Sequence, residues 1–142
     1  MYTSERDKLR QHYADVWQKA RANQPLDALE QQIALVIEQH PEYHKMLENR
    51  QHIKNEYLPE MGETNPFLHM GMHLGIREQV ATDRPSGIAQ VHRVLTLKHG
   101  DVLEAEHQMM DCLAEALWQS QKNQQAPDEV AYSRCLHQLI NE

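Results

Sequence analysis

The chain has 142 residues, 40% of them hydrophobic and 25% charged, so it is long enough to bury a core without disulfides or structural metals. Its net charge of -7 argues against nucleic-acid and anionic-membrane partners, which need a clustered basic surface. Neither a secretory signal nor an apolar run of about 20 residues occurs, so we expect a cytoplasmic protein.

Cys112 and Cys135 are too few and too far apart to predict a disulfide framework or a zinc ribbon, and we expect thiols in a reducing compartment. The chain contains no Gly-rich phosphate loop, Gly-x-Ser-x-Gly elbow, Cys-x-x-Cys pair or His-Glu-x-x-His motif. The sequence therefore names no reaction and leaves open whether the protein is an enzyme.

Apolar residues recur at helical spacing, and no segment alternates like a strand. We therefore predict an all-α fold in a single domain over residues 1–142. Its expected architecture is a helical bundle of about five long helices and one short one, loosely like a four-helix bundle.

Two long helices are predicted in the first third of the chain. The first begins at Ser4, which fits a capping box with Asp7, and ends near Asn23. Pro25 opens the second, and Pro41 ends it. Their expected buried residues are Leu9, Tyr13, Val16, Trp17, Ala20, Leu26, Leu29, Ile33, Val36 and Ile37.

A short helix over residues 42–49 and a connecting loop over residues 50–64 precede a central helix. Asn65 is its predicted N-cap and Pro66 its first helical residue. Apolar side chains occupy nearly its whole circumference as far as Arg77, so we expect this helix to be buried.

A turn over residues 83–87 follows the central helix, and Ser86 is the predicted cap of the next helix, which Gly100 closes. Asp101 then caps a long helix that ends near Gln121. Its predicted core stripe is Leu103, Glu106, Met110, Leu113 and Leu117.

A polar linker over residues 119–126 leads to the last helix, which Pro127, Asp128 and Glu129 open. Its expected apolar face carries Val130, Leu136, Leu139 and Ile140.

His69 and His73 are four residues apart on the central helix, so their side chains share one face. Two imidazoles in this arrangement can bind one metal ion. The alternative is a pair of half-buried histidines hydrogen-bonded to carboxylates or carbonyls.

Glu106 interrupts an apolar stripe, and a buried carboxylate must be paired, protonated or bound to a cation. If the stripe is rotated by one position, Glu106 lies instead at the rim. His107 and Asp111 are four residues apart on the flank of the same helix and could supply a nitrogen and an oxygen ligand, or form an ordinary surface pair.

His40 and His44 repeat the four-residue spacing, but Pro41 lies between them and places His40 at a helix junction. We favour histidines that cap backbone carbonyls here, and keep His44 as a further candidate ligand.

Several motifs together resemble one known family: His40-Pro-Glu-Tyr-His44, Asn65-Pro-Phe-Leu-His-Met-Gly-Met-His73, Arg77-Glu-Gln79, Asp83-Arg-Pro-Ser-Gly-Ile88 and Glu104-Ala-Glu-His107. The family is an uncharacterised bacterial one, domain of unknown function 1841. The resemblance covers nearly the whole chain, and it supports the domain limits without implying an activity. A looser similarity is to hemerythrin-like four-helix bundles, in which histidines and carboxylates on facing helices hold metal.

Two hypotheses follow. The first is a divalent transition metal, zinc, iron or manganese, held in the bundle core. Its candidate ligands are His69, His73, Glu106 and His107, with His44 or Asp111 as further candidates. The second is a metal-free module that binds a protein partner or a second copy, with histidines paired to Glu78, Glu104, Glu106 and Asp111.

Overall fold

The structure is a computed structural model that describes residues 5–49 and 65–141. Over those residues the predicted all-α fold is confirmed, and no strand occurs among them. The helices are α1 (Glu5–Arg21), α2 (Ala28–Glu38), the 3-10 helix η1 (Pro41–Tyr43), α3 (His44–Glu48), α4 (Pro66–Thr82), α5 (Ile88–His99), α6 (Val102–Asn123) and α7 (Glu129–Ile140).

The predicted cap Ser4 and the predicted loop over residues 50–64 lie outside the described residues. Among the helices that are described, none is both long and apolar enough to cross a membrane.

The chain divides into two compact units, Met1–Leu74 and Gly75–Glu142. Helices α1, α2, η1 and α3 belong to the first unit, and α5, α6 and α7 to the second. Helix α4 contributes its first half to one and its second half to the other. The domain limits of 1–142 stay a prediction.

In the first unit, α1 packs against α2 and α3. The core consists of Tyr13, Ala14, Val16, Ile33, Ala34, Val36, Ile37, Leu47, Phe67 and Met70. Leu9 and Leu29, predicted to be buried, are 53% and 63% exposed, whereas Arg10 is buried with its guanidinium 4.8 Å from the Phe67 ring centroid. The other eight residues of the two predicted stripes are buried or half-buried, so the prediction is wrong only at Leu9 and Leu29.

Helix α2 begins at Ala28, three residues after the predicted Pro25. Asp27 is its N-cap because it forms a reciprocal capping box: the Glu30 amide donates to Asp27 Oδ1 (2.8 Å), and the Asp27 amide donates to Glu30 Oε1 (3.0 Å). The predicted end before Pro41 is confirmed, and η1 with α3 replaces one short helix.

In the second unit, α5, α6 and α7 pack against one another. Their buried residues are Ile88, Val91, Leu95, Ala105, Glu106, Met109, Met110, Cys112, Tyr132 and Leu136. Leu117 and Val130, predicted to face the core, are 42% and 68% exposed. Cys112 is buried instead. The buried face of α6 therefore differs from the predicted core stripe after Met110.

Local capping chemistry was predicted more accurately than buried faces. Asn65, Asp101 and Asp128 are N-caps that accept backbone amide hydrogen bonds, and Gly100 closes α5 in the left-handed conformation. The predicted cap Ser86 is wrong, because the N-cap of α5 is Gly87. Helix α6 continues to Asn123, so residues 119–123, predicted as linker, are helical.

Cys112 on α6 and Cys135 on α7 form a disulfide, with their Cα atoms 5.7 Å apart. The prediction of two thiols is therefore wrong. The pairing depends on how α6 and α7 pack side by side, which a separation of 23 residues does not reveal.

Candidate metal centre

His40 lies where α2 gives way to η1. The last carbonyls of a helix have no partner within it, and the side chain of His40 reaches back to one of them. Its Nδ1 lies 2.7 Å from the carbonyl oxygen of Val36. Since a carbonyl oxygen can only accept, His40 carries its proton on Nδ1 and donates it.

This hydrogen bond sets the chemistry of the second ring nitrogen of His40. With Nδ1 protonated, Nε2 of the neutral ring carries a lone pair. His40 is 3% exposed, and Nε2 has no hydrogen-bond partner among the described residues. A buried nitrogen lone pair without a partner is costly in a purely structural role.

His69 and His73 share a face of α4, as their spacing predicted. Their Nε2 atoms lie 3.2 Å apart, and the two rings meet edge to face at 83°. His73 is fully buried and His69 is half-buried. If both rings are neutral, one Nε2 carries the proton and donates it to the other.

His40 completes a cluster of three imidazoles in the first unit. Its ring centroid lies 5.0 Å from that of His69 and 4.9 Å from that of His73. The ring nitrogens of these three residues that can act as ligands all lie within 4.8 Å of one another. We refer to His40, His69 and His73 as the histidine cluster.

Tyr43 covers one side of the cluster. Its ring stacks parallel to that of His40 at 5.4 Å and stands on edge to that of His69 at 6.3 Å. Burial, and to a lesser degree the charge of Glu42, raises the pKa of Tyr43, so its hydroxyl stays protonated at neutral pH.

His44 is engaged elsewhere. Its Nε2–H donates to the carbonyl oxygen of Ile37 at 2.8 Å, and its ring packs on Trp17 at 4.4 Å. The preferred interpretation of His40 and His44 as carbonyl caps is therefore confirmed. The sequence did not predict that Nε2 of His40 has no partner among the described residues, whereas the lone pair on this nitrogen follows once Nδ1 is known to cap a helix.

In the second unit, the predicted burial of Glu106 is confirmed, since it is 0% exposed. Nε of Arg77 donates to both carboxylate oxygens at 3.1 Å, and Nη2 donates to Oε1 at 3.0 Å. Nε2 of His92 lies 2.8 Å from Oε2. The partnership of Glu106 with Arg77 was not foreseen, because 29 residues separate the two.

The other two candidate ligands on α6 are more accessible than Glu106. His107 is half-buried, with its Nδ1 3.7 Å from Oε2 of Glu104, and Asp111 is exposed.

Comparison with known proteins yields one match. A family model described as "Domain of unknown function (DUF1841)" matches residues 5–138. No curated protein and no solved structure matches the chain.

Proposed function

The chain belongs to the DUF1841 family, whose description assigns no activity, and we therefore propose a function from the geometry. The histidine cluster of the first unit binds one divalent transition-metal ion, with His40, His69 and His73 as ligands.

The observation that carries this proposal is the state of His40. Its Nδ1–H is held by the Val36 carbonyl, and its buried Nε2 has no hydrogen-bond partner within residues 5–49 and 65–141. Histidines that bind metals usually donate their other ring N–H to a carbonyl or a carboxylate, which fixes the tautomer and orients the ring. His40 has this arrangement before any ion is added.

The distance between His69 and His73 also fits a shared ion. Two nitrogens bound to one tetrahedral zinc ion at about 2.0–2.1 Å lie roughly 3.3–3.4 Å apart. The two Nε2 atoms are 3.2 Å apart. An ion can thus replace the proton between them with little movement of α4, and a ligand nitrogen of His40 lies within 4.8 Å of those of both histidines.

The donor set bears on the choice of metal. Three imidazoles suit zinc and iron, whereas manganese prefers carboxylate and other oxygen ligands. Among the three metals predicted from the sequence, we therefore propose zinc or iron. Three protein ligands also leave a coordination position for water or a small molecule, as in catalytic zinc sites.

Untagged protein, purified without added metal, tests the proposal. We expect about one equivalent of zinc or iron per chain by elemental analysis, and Zn²⁺ uptake in competition with a chromophoric chelator. His40→Ala, His69→Ala and His73→Ala should each weaken binding by about 100-fold or more, beyond the loss typical of an outer-shell partner. The matched control is His12→Ala, a half-buried histidine of α1 outside the cluster. Stoichiometry below about one-tenth, with no Zn²⁺ uptake, contradicts the proposal.

The other predicted ligands, His44, Glu106, His107 and Asp111, stay predictions. Both oxygens of Glu106 already accept hydrogen bonds, and the His44 ring packs on Trp17 outside the histidine cluster, so we leave these two out of the proposed set. For His107 and Asp111, alanine variants measured in the same competition assay show whether either contributes a ligand.

A second candidate function is the metal-free interaction module. The contact of His92 with Glu106 is the kind of histidine–carboxylate pair that this hypothesis requires. Leu97, Trp118 and Val130 are exposed apolar residues of the second unit that a partner or second copy could cover. Light scattering of the metal-free protein and identification of co-purifying proteins test this candidate, which requires either a mass above that of one chain or a bound partner. For either function we propose a cytoplasmic location.

A further inference from the structure

The second unit contains a cavity beside its disulfide. The cavity has a volume of about 340 Å³ and lies between α6 and α7, with Cys112 and Cys135 both among its lining residues. Its size falls within the range of small-molecule sites, about 300–1,000 Å³. Cys112 is 2% exposed, whereas Cys135 is half-buried. Cys135 is therefore the more accessible residue of the disulfide.

The charged side chains that line this cavity among the described residues are all acidic. Glu115 and Asp128 contribute carboxylates, and no lysine, arginine or histidine occurs among the described residues that line it. Carboxylates at close range repel an anionic ligand and attract a cationic one, and a cleft strengthens the effect. The cavity therefore favours a cationic or neutral molecule.

We propose that this cavity is a thiol–disulfide exchange site for a small cationic or neutral thiol. The thiolate of the incoming molecule attacks Sγ of Cys135, the S–S bond breaks, and Cys112 leaves as a thiolate that takes a proton from water. A second thiol molecule attacks the mixed disulfide on Cys135 and releases the protein thiol. Two thiols thus deliver two electrons, yielding one small-molecule disulfide and the reduced protein.

Three two-carbon thiols of different charge test the proposal: cysteamine, 2-mercaptoethanol and thioglycolate. The folded full-length protein is incubated with each thiol, and the reaction is quenched with acid. Free protein thiols are then alkylated with a maleimide, and the mass of the product is measured by mass spectrometry. Rates are divided by those measured on the same chain unfolded in urea, which removes the intrinsic reactivity of each thiol. We expect the normalised rate with cysteamine to exceed that with thioglycolate by about 3-fold or more.

Glu115→Gln should reduce this preference towards the value in urea. The matched control is Glu104→Gln, because Glu104 lies on the same helix about 16 Å along its axis, beyond the screening length of about 8 Å at physiological salt. Cys112→Ser should form a stable mixed disulfide on Cys135 when treated with cystamine.

Two results overturn the proposal. One is a disulfide that resists all three thiols until the chain unfolds, which would make it a structural crosslink. The other is a preference that is the same in the folded and unfolded protein. Neither result depends on metal binding, because the histidine cluster belongs to the first unit and the disulfide to the second.

Discussion

Arg77 holds Glu106 in a fork, with its Nε and Nη2 atoms 3.0–3.1 Å from the carboxylate oxygens. Glu106 is completely buried, and the Arg77 side chain is 15% exposed. Hydrogen bonds from the Arg77 guanidinium and from His92 therefore offset the cost of burying a charged Glu106.

Glu106→Gln keeps the shape of this side chain but removes its charge, so the Arg77 guanidinium loses the carboxylate to which it donates. We expect the free energy of unfolding to fall by about 3 kcal/mol, as for other broken buried pairs. Urea denaturation measures the loss. The exposed Glu104→Gln serves as the control and should change stability by no more than about 0.5 kcal/mol. A loss from Glu106→Gln as small as the control's would mean that the fork adds nothing to stability.

Two buried tyrosines predict a loss of stability in alkali. Burial raises the pKa of Tyr13 to about 12 and that of Tyr132 to about 12. Between about pH 10 and pH 12 the unfolded phenols lose their protons while the folded ones keep them, so unfolding becomes easier as the pH rises. Each tyrosine should lower the free energy of unfolding by on the order of 2 kcal/mol across this pH range, and should have no effect below it.

Urea denaturation at a series of pH values tests this expectation with Tyr13→Phe and Tyr132→Phe. Each substitution removes one ionisable phenol and should flatten the alkaline fall, and the double variant should flatten it most. An unchanged slope in the double variant would assign the alkaline loss to other groups.

The sequence predicted helix ends well where the chemistry is local. Asn65, Asp101 and Gly100 cap helices because of interactions within one turn, and such interactions can be read from neighbouring residues. Ser86 failed as a cap because Asp83 Oδ1 accepts from the amides of Gly87 and Ala89, which fixes the turn from outside the helix.

Buried faces and site partners were harder to predict because they depend on which helices meet. Leu9 and Leu29 are as apolar as their buried neighbours, and only the packing of α1 on α2 and α3 decides that they face outwards. The pair His69 and His73 followed from spacing on one helix. His40, which contacts both, lies 29 residues before His69 in the sequence. No local pattern predicts a contact at that separation.

Gly87 and Gly100 allow a controlled test of backbone and steric strain. Both have positive φ, +94° and +68°, but a Cβ on Gly87 would lie 2.9 Å from Nε2 of His137, whereas a Cβ on Gly100 meets open space. Gly100→Ala should cost about 1 kcal/mol from the left-handed backbone alone. Gly87→Ala should cost more, because the Nδ1–H of His137 donates to the Ser133 carbonyl at 2.8 Å and keeps the ring in place.

The excess for Gly87→Ala is steric if His137→Ala removes it. A double-mutant cycle between the two positions isolates this part, and we expect a coupling on the order of 1 kcal/mol in thermal or urea unfolding. Equal costs at Gly87 and Gly100 would show that the His137 ring moves away freely.

Metal binding should stabilise the first unit, and the fluorescence of Trp17 can measure this effect. Trp17 belongs to this unit and packs on His44, whereas the exposed Trp118 belongs to the second, so Trp118→Phe leaves Trp17 as the fluorescent probe. An ion that binds only the folded state at 100 times its dissociation constant adds about 2.7 kcal/mol to the free energy of unfolding. We expect Zn²⁺ to raise the urea midpoint of the Trp17 signal by a corresponding amount, and to leave it unchanged when His40→Ala is added. The same rise in the His40→Ala background would place the ion outside the histidine cluster.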